Sequence, residues 1–206
     1  GEDQDDDDDG FHDDVDDCNF LPGTSTQDRR GCLDSDGDGW SDPDQGWSWV
    51  NGADNYTLDP SQWADIDGDG YGDNPNGTEP DSCPEEYGTS TSDRLGCIDE
   101  DGDGLSNEFD DFPSDAMRNF DNDSDGYDDD LDDFCPGLTG FSSQDRMGCP
   151  DSDGDGFSNP DSGWATSDGA DAFVGDETQW SDFDGDGYGD NVGGFQPDSC
   201  PNQYGT

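Results

Sequence analysis

An aspartate-rich segment recurs seven times in this chain, and its charge constrains every fold that the chain can adopt. The copies read DDDDDGF, DSDGDGW, DIDGDGY, DEDGDGL, DNDSDGY, DSDGDGF and DFDGDGY, and they start at residues 5, 34, 65, 99, 121, 151 and 182. Two like charges ~4 Å apart repel each other by about 1 kcal/mol even in water. Because each copy gathers several carboxylates, we expect none of these segments to close into a loop without a cation.

The rest of the chain offers little else to hold it together. Of 206 residues, 58 are acidic, 5 are basic and only 25% are hydrophobic, which gives a formal net charge of −53. Such a balance is typical of disordered chains, because the apolar area is too small to offset the conformational entropy of folding. The chain has no lysine and hence no basic face, so we expect no nucleic acid partner. We also expect no membrane insertion, since no apolar run approaches about 20 residues.

Three of the segments match the calcium-loop template along their whole length. Calcium takes oxygen ligands, and such a loop supplies them from side chains at positions 1, 3, 5, 9 and 12 and from the carbonyl of position 7, with glycine at position 6. The predicted ligands are Asp5, Asp7, Asp9, the Phe11 carbonyl, Asp13 and Asp16; Asp99, Asp101, Asp103, the Leu105 carbonyl, Asn107 and Asp110; and Asp121, Asp123, Asp125, the Tyr127 carbonyl, Asp129 and Asp132.

The other four loops lack an acid at the twelfth position, and the internal alignment indicates that insertions have displaced it. Nine extra residues precede the closing acid in two of these loops, and five extra residues precede it in the other two. The predicted ligands are Asp34, Asp36, Asp38, the Trp40 carbonyl, Asp42 and Asp54; Asp65, Asp67, Asp69, the Tyr71 carbonyl, Asp73 and Asp81; Asp151, Asp153, Asp155, the Phe157 carbonyl, Asn159 and Asp171; and Asp182, Asp184, Asp186, the Tyr188 carbonyl, Asp190 and Asp198. Seven loops predict at least seven calcium ions.

A longer repeat contains these loops, since residues 18–83 align without gaps with residues 135–200. We therefore expect a partial repeat at 1–17, a long repeat at 18–82, a short repeat at 83–134, a long repeat at 135–199 and the start of another at 200–206. Neither a helical nor a strand period persists between the loops, and 31 glycines and 12 prolines favour turns. The predicted fold is an elongated, irregular tandem repeat array with little regular secondary structure, stabilised by calcium and disulfides.

Six of the seven cysteines are spaced in pairs 14 residues apart. Many connectivities are possible for six cysteines, but the spacing recurs within a shared sequence, which favours the local pairs Cys18–Cys32, Cys83–Cys97 and Cys135–Cys149. A zinc site is disfavoured, because His12 is the single histidine and no C-x-x-C pair is present. Disulfides indicate an oxidising location outside the cytosol. Cys200 is left without a partner at this spacing.

The segment from Asp5 to Cys18 reads D-x-D-x-D-G-x-x-D-x-x-D-x-C, and at these residues the chain resembles the thrombospondin type 3 repeat family. The resemblance covers nearly the whole chain. It implies an irregular, calcium-wrapped chain with disulfides between adjacent repeats, in extracellular proteins with adhesive or matrix roles. The longer variants, with TQW or SQW before a loop and GTSTxDRxGC after it, resemble arrays in secreted surface proteins of marine bacteria and archaea. The insertions depart from the family pattern.

Several side chains that are not themselves predicted calcium ligands suggest further roles. The apolar residue after each loop glycine is expected to pack against a neighbouring unit, whereas Trp47, Trp49, Trp63, Trp164 and Trp180 could instead form a surface for stacking sugars. The arginines of the three DRxGC segments are expected to pair with nearby carboxylates; they are Arg29, Arg94 and Arg146. Three sequons are candidate glycosylation sites in a secreted protein, at Asn55, Asn76 and Asn122.

The leading functional hypothesis is a calcium-binding structural array, a rigid rod, stalk or fibre segment at the cell surface that contacts neighbouring repeats or copies of itself. Because both ends of the sequence interrupt a repeat, we expect one stretch of a longer array. The alternatives are an adhesive or carbohydrate-binding module that binds glycans or cell-surface proteins, and a disordered calcium buffer. An enzyme is not expected, since the chain offers no plausible pair of nucleophile and base.

Overall fold

The computed structural model describes residues 4–205, and within them the chain is almost entirely turns, bends and irregular segments. The helices of this part are two short 3-10 turns, Trp49–Asn51 and Thr166–Asp168. Two isolated bridges join Gly72 to Pro80 and Gly189 to Pro197. The predicted irregular fold is therefore confirmed. Residues 1–3 and 206, which belong to the predicted partial repeats, lie outside the described residues. Among the described helices, none has the length and apolar character to cross a membrane.

The chain divides into two compact units, Gly1–Ala116 and Met117–Thr206. The first unit contains the loops that begin at residues 5, 34, 65 and 99, and the second contains those at 121, 151 and 182. Each unit therefore includes one of the two long repeats. The boundary between the units falls inside the short repeat predicted at 83–134, and the repeat boundaries themselves stay a prediction.

Three disulfides link Cys18 to Cys32, Cys83 to Cys97 and Cys135 to Cys149, with Cα–Cα distances of 5.0–5.1 Å. The predicted local pairing is confirmed. Cys200 is a free, exposed thiol. Three disulfides in one chain point to an extracellular or otherwise oxidising environment, because cytosolic thiols are kept reduced.

Burial in the described residues falls mainly on polar groups. The buried hydrophobic residues are three disulfide cysteines and two alanines, and buried serines, glutamines and aspartates outnumber them. Buried polar atoms need hydrogen-bond partners or another compensating charge. The fold is therefore organised by polar contacts, and the hydrophobic core that normally offsets chain entropy is very small.

A tight turn precedes the second cysteine of each disulfide. The buried hydroxyls of Ser25, Ser90 and Ser142 accept the backbone N–H of that cysteine at 2.9–3.1 Å. The backbone approaches so closely that a Cβ added to Gly23 would lie 2.0 Å from the carbonyl carbon of Cys32. Only glycine fits at that position, and the turn brings the disulfide against the preceding loop.

The same turn is also tied to the loop that follows the disulfide. Asp28 accepts the backbone N–H of Ser41 at 2.9 Å and its hydroxyl at 2.6 Å. The pairs Asp93 with Ser106 and Asp145 with Ser158 repeat these bonds at the same distances. Each disulfide segment therefore connects one aspartate-rich loop to the next loop in its unit.

The nine-residue insertions form a small polar and aromatic cluster in each long repeat. In the first repeat, Arg29 pairs with Asp44 at 2.7 Å and lies 5.4 Å from the ring centroid of Trp47, whose indole N–H donates to Asp28. The second repeat has the equivalent contacts around Arg146, Asp161 and Trp164. In the short repeat Arg94 pairs with Glu108. The predicted pairing of these arginines with carboxylates is confirmed.

Aromatic stacking connects the two loops of each long repeat, and a buried glutamine holds the five-residue insertion of the second loop. Trp40 stacks on Trp63 with ring centroids 6.1 Å apart, and Phe157 stacks on Trp180 at 5.3 Å. Two of the seven residues that follow a loop glycine, Trp40 and Phe157, thus pack as predicted, whereas a third, Tyr188, is 48% exposed. The buried amide of Gln62 donates to the carbonyls of two residues in the five-residue insertion, and Gln179 repeats this arrangement.

Candidate metal sites

Each aspartate-rich segment folds into a loop whose acidic side chains converge. Triplets of carboxylates with one oxygen each within 4.8 Å of the others occur in seven places. Five of them are the first, third and fifth residues of the loops at Asp5, Asp34, Asp65, Asp99 and Asp121. The predicted alternation of ligand residues therefore places their oxygens around a common centre.

The loop turn is made by the first aspartate and the glycine at the sixth position. The carboxylate of the first aspartate accepts the backbone N–H of this glycine in all seven loops, at 2.8–3.1 Å. The glycine has φ between 90° and 104°, a left-handed conformation that other residues rarely adopt. The glycines are Gly10, Gly39, Gly70, Gly104, Gly126, Gly156 and Gly187.

The ninth residue fixes the two ends of the loop together. Its backbone N–H donates to the carbonyl of the residue just before the loop, at 2.7–3.0 Å in all seven cases. Its side-chain oxygen accepts the backbone N–H of the second loop residue at 2.9–3.2 Å. Both bonds hold the side chain toward the carboxylates. The predicted residues Asp13, Asp42, Asp73, Asn107, Asp129, Asn159 and Asp190 occupy this place.

Every loop leaves at least one buried carboxylate oxygen without a hydrogen-bond partner in the protein. At the third position this holds in all seven loops, at Asp7, Asp36, Asp67, Asp101, Asp123, Asp153 and Asp184. Further such oxygens belong to Asp5, Asp38, Asp73, Asp155 and Asp190. An unpaired buried carboxylate oxygen is costly unless a cation or a donor compensates it. The residues present therefore fit a cation in each loop.

The displaced closing acids reach their loops in spite of the insertions. Asp54, Asp81, Asp171 and Asp198 each have a buried Oδ2 without a partner, while Oδ1 accepts the N–H two residues later at 2.7 Å. Their own N–H groups donate to the carbonyl of the eighth loop residue at 2.8–2.9 Å. The inserted residues bulge out between these two anchor points. The structure thus brings all four predicted closing acids to the loops.

The electrostatics of these acids reflect their surroundings. Burial, followed by repulsion from Asp38 and Asp36, raises the pKa of Asp54 to about 7. Burial and the acids of their own loops likewise raise the pKa of Asp81 and of Asp171 to about 6. Burial and repulsion disfavour the charged form of these carboxyls, so they bind a proton more tightly. A bound cation would compensate the same repulsion.

The closing acid of the loop at Asp121 differs from the prediction. Asp133 makes the characteristic contacts: its Oδ1 accepts the N–H of Cys135 at 2.7 Å, its N–H donates to the Asp128 carbonyl, and its Oδ2 is buried without a partner. The predicted residue, Asp132, instead accepts hydrogen bonds from Arg118 at 3.1 Å and from the N–H of Asp128 at 2.7 Å.

These hydrogen bonds favour Asp133 over the predicted Asp132 as the closing acid, and the ligand assignment itself stays a prediction. This loop has one residue more than the first loop between its glycine and the next cysteine, so counting to the twelfth position stops one residue short. A usable signal was in the sequence, because Asp16, Asp81 and Asp198 also lie two residues before a cysteine. The two remaining direct predictions agree with the structure, since Asp16 and Asp110 also accept the N–H two residues later, at 2.7 and 2.8 Å.

Six of the seven loops fall into two groups according to what covers the fifth residue. In the loops at residues 5, 65, 121 and 182, its Oδ2 accepts the backbone N–H of a glycine beyond the next cysteine, at 2.8–3.2 Å. In the loops at residues 34 and 151 the same oxygen, of Asp38 and Asp155, is buried without a partner. The first group is therefore closed by the chain that follows it.

The other predicted site residues have varied surroundings. Of the three sequon asparagines, Asn76 and Asn122 are exposed and Asn55 is half-buried, with its backbone N–H bonded to the Trp63 carbonyl at 3.1 Å. Trp49 is 60% exposed and lines a groove of about 570 Å³ together with Trp40 and Trp63. Trp47, Trp164 and Trp180 are half-buried in the contacts described above.

Neither a scan against protein-family models nor a search of curated proteins found a match to this chain. The residues of the chain themselves indicate a broad class of protein. Repeated Asp-x-Asp-x-Asp loops with converging carboxylates, together with three disulfides, fit a calcium-binding repeat. The acidic triplets are suited to hold metal ions.

Proposed function

We propose that this chain is an extracellular calcium-binding structural repeat protein, with at least one calcium ion in each of its seven loops. The observation that carries the proposal is the buried, unpartnered carboxylate oxygen at the third position of every loop. The ligands are those named from the sequence, with Asp133 in place of Asp132. The proposal includes no catalytic activity.

The donor set favours calcium over other ions. The residues around each loop centre offer carboxylate, amide and backbone carbonyl oxygens, which are the ligands of a hard cation. Magnesium keeps several of its waters and is rarely held by an all-protein cage. Soft metals prefer thiolate or imidazole ligands, and the predicted ligand sets contain neither. When bound, calcium would neutralise the carboxylates that otherwise repel one another.

We further propose that the chain forms part of a rod, stalk or fibre at the cell surface, as its resemblance to thrombospondin type 3 repeats implies. The support is the connection between successive loops within each unit. The Gly23 N–H donates to Asp9 at 3.0 Å, and Asp28 on the same disulfide segment binds Ser41 of the next loop. Such contacts between nearest neighbours stiffen a repeat array without a large interface. The proposed partners are neighbouring repeats or copies of the chain.

A second candidate function is an adhesive or carbohydrate-binding role, favoured by the exposed Trp49 in the groove with Trp40 and Trp63. The second long repeat has Thr166 where the first has Trp49. Trp49→Ala should abolish any change in tryptophan fluorescence on sugar titration, while the Thr166→Ala control should leave it unchanged. No fluorescence change in the native chain at saturating sugar would remove this candidate.

Calcium removal tests the main proposal. Because folding and metal binding are linked in such sites, a chelator should abolish the near-ultraviolet circular dichroism of the tryptophans and expand the hydrodynamic radius. Restoring calcium should reverse both changes, and magnesium at the same concentration should not. We expect affinities around 10⁻⁴ to 10⁻³ M, as for other extracellular modules. An unchanged spectrum and radius in excess chelator would refute the calcium scaffold.

A further inference from the structure

We propose that the groove lined by Trp40, Trp49 and Trp63 binds an uncharged pyranose of a glycan on another molecule, and that the groove forms only when both calcium loops beside it are filled. The inference deepens the second candidate function, since it rests on that function and on the proposed calcium sites. It names the class of sugar, the groups that hold it and the condition that assembles them.

The groove has the size and lining of a site for a small ligand with apolar faces. Its volume is about 570 Å³, and three indole rings line it. Ligand clefts commonly have volumes of about 300–1,000 Å³. Val50 and Ile66 add apolar side chains that are 70% and 71% exposed, and exposed apolar surface of this kind marks binding sites. The face of an aromatic ring carries partial negative charge, which suits the C–H groups on one side of a pyranose ring.

The indoles of the groove also offer hydrogen-bond donors that the protein does not use. Outside the groove, the indole N–H groups of Trp47 and Trp164 donate to aspartates at 3.0 and 3.2 Å. In the part of the chain that the structure describes, those of Trp40, Trp49 and Trp63 make no hydrogen bond, and all three residues line the groove. The hydroxyls of a sugar accept such donors.

Two asparagine amides lie in the same groove. Oδ1 of Asn51 accepts the N–H and the hydroxyl of Ser48 at 3.4 and 3.2 Å, which leaves its NH₂ group for a ligand. Asn55 is half-buried, and its side-chain amide makes no hydrogen bond within the described residues. An amide both donates and accepts, as a sugar hydroxyl does. The groove therefore combines aromatic faces with uncharged polar groups.

The charge of the groove selects an uncharged sugar. Among the described residues that line it, Asp65 is the one charged side chain, and none is cationic. The whole chain has a formal net charge of −53, so an acidic sugar would meet like charge without an ion partner. Asp65 uses its two oxygens for the N–H groups of Gly68 and Gly70 at 2.7 and 3.1 Å and is a proposed calcium ligand. It is thus not available to a cationic ligand.

The second long repeat has the same backbone without this lining. Both repeats form a 3-10 turn at this place, and the N–H of Asn55 or of Ala172 donates to the following tryptophan carbonyl at 3.1 or 3.0 Å. The second repeat has Phe157 for Trp40, Thr166 for Trp49, Asp168 for Asn51 and Ala172 for Asn55. Two indoles and both amides are therefore lost and a carboxylate is added. We infer that sugar binding belongs to the first repeat.

Each wall of the groove continues into a proposed calcium ligand. Trp40 supplies the carbonyl ligand of its own loop. Residues 49–53 end directly before the closing acid of that loop, Asp54, and residues 63–66 contain Asp65, the first ligand of the next loop. Two ions therefore fix the walls relative to one another, and without them the carboxylates repel. Because coupling between binding sites is reciprocal, the sugar should in turn tighten calcium binding.

The indole N–H signals of the six tryptophans test the inference in the full chain with calcium bound. The NMR titrations use cellotriose, maltotriose and mannotriose as uncharged probes and trigalacturonate as the acidic probe. At least one uncharged probe should shift the signals of Trp40, Trp49 and Trp63, with a dissociation constant of about 1 mM. The other three tryptophans are internal controls and should not shift. Trigalacturonate should bind about tenfold more weakly than that probe, because of charge repulsion.

Three variants take their new residue from the second repeat, so the backbone accommodates them. Trp49→Thr should abolish the sugar-induced shift at Trp63. Asn55→Ala should weaken sugar binding by about fivefold, as expected for one hydrogen bond. Thr57→Val is the matched control: it removes the same sequon as Asn55→Ala but no side chain that lines the groove, so sugar binding should not change.

Calcium titration with and without the bound sugar tests the dependence on calcium, with the glycine amide at the sixth loop position as the reporter. Saturating sugar should lower the calcium midpoints of both Gly39 and Gly70 by about fivefold and leave that of Gly187 unchanged. If sugar lowers neither midpoint, the proposed dependence is overturned. If it lowers only one of them, the sugar contacts a single ion, which also contradicts the proposal.

The outcomes separate this inference from the functions on which it rests. If no glycine amide of the native chain responds to calcium, the calcium-binding proposal fails. If the amides respond but no uncharged probe at about 10 mM shifts the groove indoles, the groove inference is overturned. Shifts at Trp164 or Trp180 alone would keep a carbohydrate-binding role and reject the groove. Tighter binding of trigalacturonate than of every uncharged probe would reject the class of sugar. If a variant does not regain the native near-ultraviolet spectrum, the indole shifts of the native chain decide.

Discussion

The loops at Asp34 and Asp99 in the first unit reach the same closed arrangement with very different lengths of chain. Both follow the second cysteine of a disulfide, and in both an aspartate of the preceding turn binds the eighth residue of the loop. Their closing acids, Asp54 and Asp110, accept the N–H two residues later at 2.7 and 2.8 Å. Yet the segment between the ninth loop residue and the closing acid is nine residues longer before Asp54 than before Asp110.

The difference shows that local hydrogen bonds, and not the number of residues, place the closing acid. The inserted residues add their own contacts, including the ion pair of Arg29 with Asp44 and the indole bond of Trp47 to Asp28. They also cover the closing acid more completely, since Asp54 is 1% exposed and Asp110 is 6% exposed. An insertion at this point therefore leaves the ligand in place and adds packing around it.

Removing the closing acid of each loop should have the largest effect on calcium affinity, and it tests whether the two loops are closed in the same way. Asp54→Asn and Asp110→Asn should each weaken calcium binding at one site by about tenfold or more, because a ligand that carries charge is lost. Amide NMR titration with Gly39 and Gly104 as reporters would assign each loss to its loop. The exposed Glu85 provides a control, since Glu85→Gln removes one charge outside the loops.

Equal losses in the two loops would support a common role for the two acids. If the Gly39 midpoint of Asp54→Asn equals that of the native chain while Asp110→Asn weakens its loop, Asp54 is not the closing ligand and the alignment of the insertion is wrong.

A second test asks whether hydrogen bonds or counting identify the closing acid in the loop at Asp121. We expect Asp133→Asn to weaken this site by about tenfold, and Asp132→Asn to change it by less than about threefold, because Asp132 is paired with Arg118 and its loss removes only a nearby charge. The Gly126 amide reports the site. The reverse order of effects would restore Asp132 as the ligand.

The sequence predicted most of the fold and of the candidate sites because both depend on local patterns. The loop residues are consecutive, and the three disulfides close short segments, so spacing alone located them. The closing acids after long insertions were also found, but only because the chain contains a shorter version of itself for comparison. That comparison was not applied at Asp132 and Asp133, and counting there selected Asp132, whereas Asp133 makes the hydrogen bond of the other closing acids.

Contacts between segments could not be predicted from spacing. The amide of Gln62, which contacts the five-residue insertion, and the hydroxyl of Ser25, which binds the N–H of Cys32, are buried polar groups of kinds that ordinarily lie at the surface. No periodicity marks them.

The smallest expected effect is a pH dependence of calcium affinity that differs between the long loop at Asp34 and the short loop at Asp99. Burial is the main cause that raises the pKa of Asp54 to about 7, and burial also raises the pKa of Asp110. A carboxyl with a raised pKa holds its proton below that value, so calcium must displace the proton and binds more weakly as pH falls through it. For a pKa of about 7, the calcium midpoint at Gly39 should rise about fourfold between pH 8 and pH 6.5. The less buried Asp110 should give Gly104 a smaller rise, and a larger rise at Gly104 than at Gly39 would contradict the idea that the insertion deepens the site.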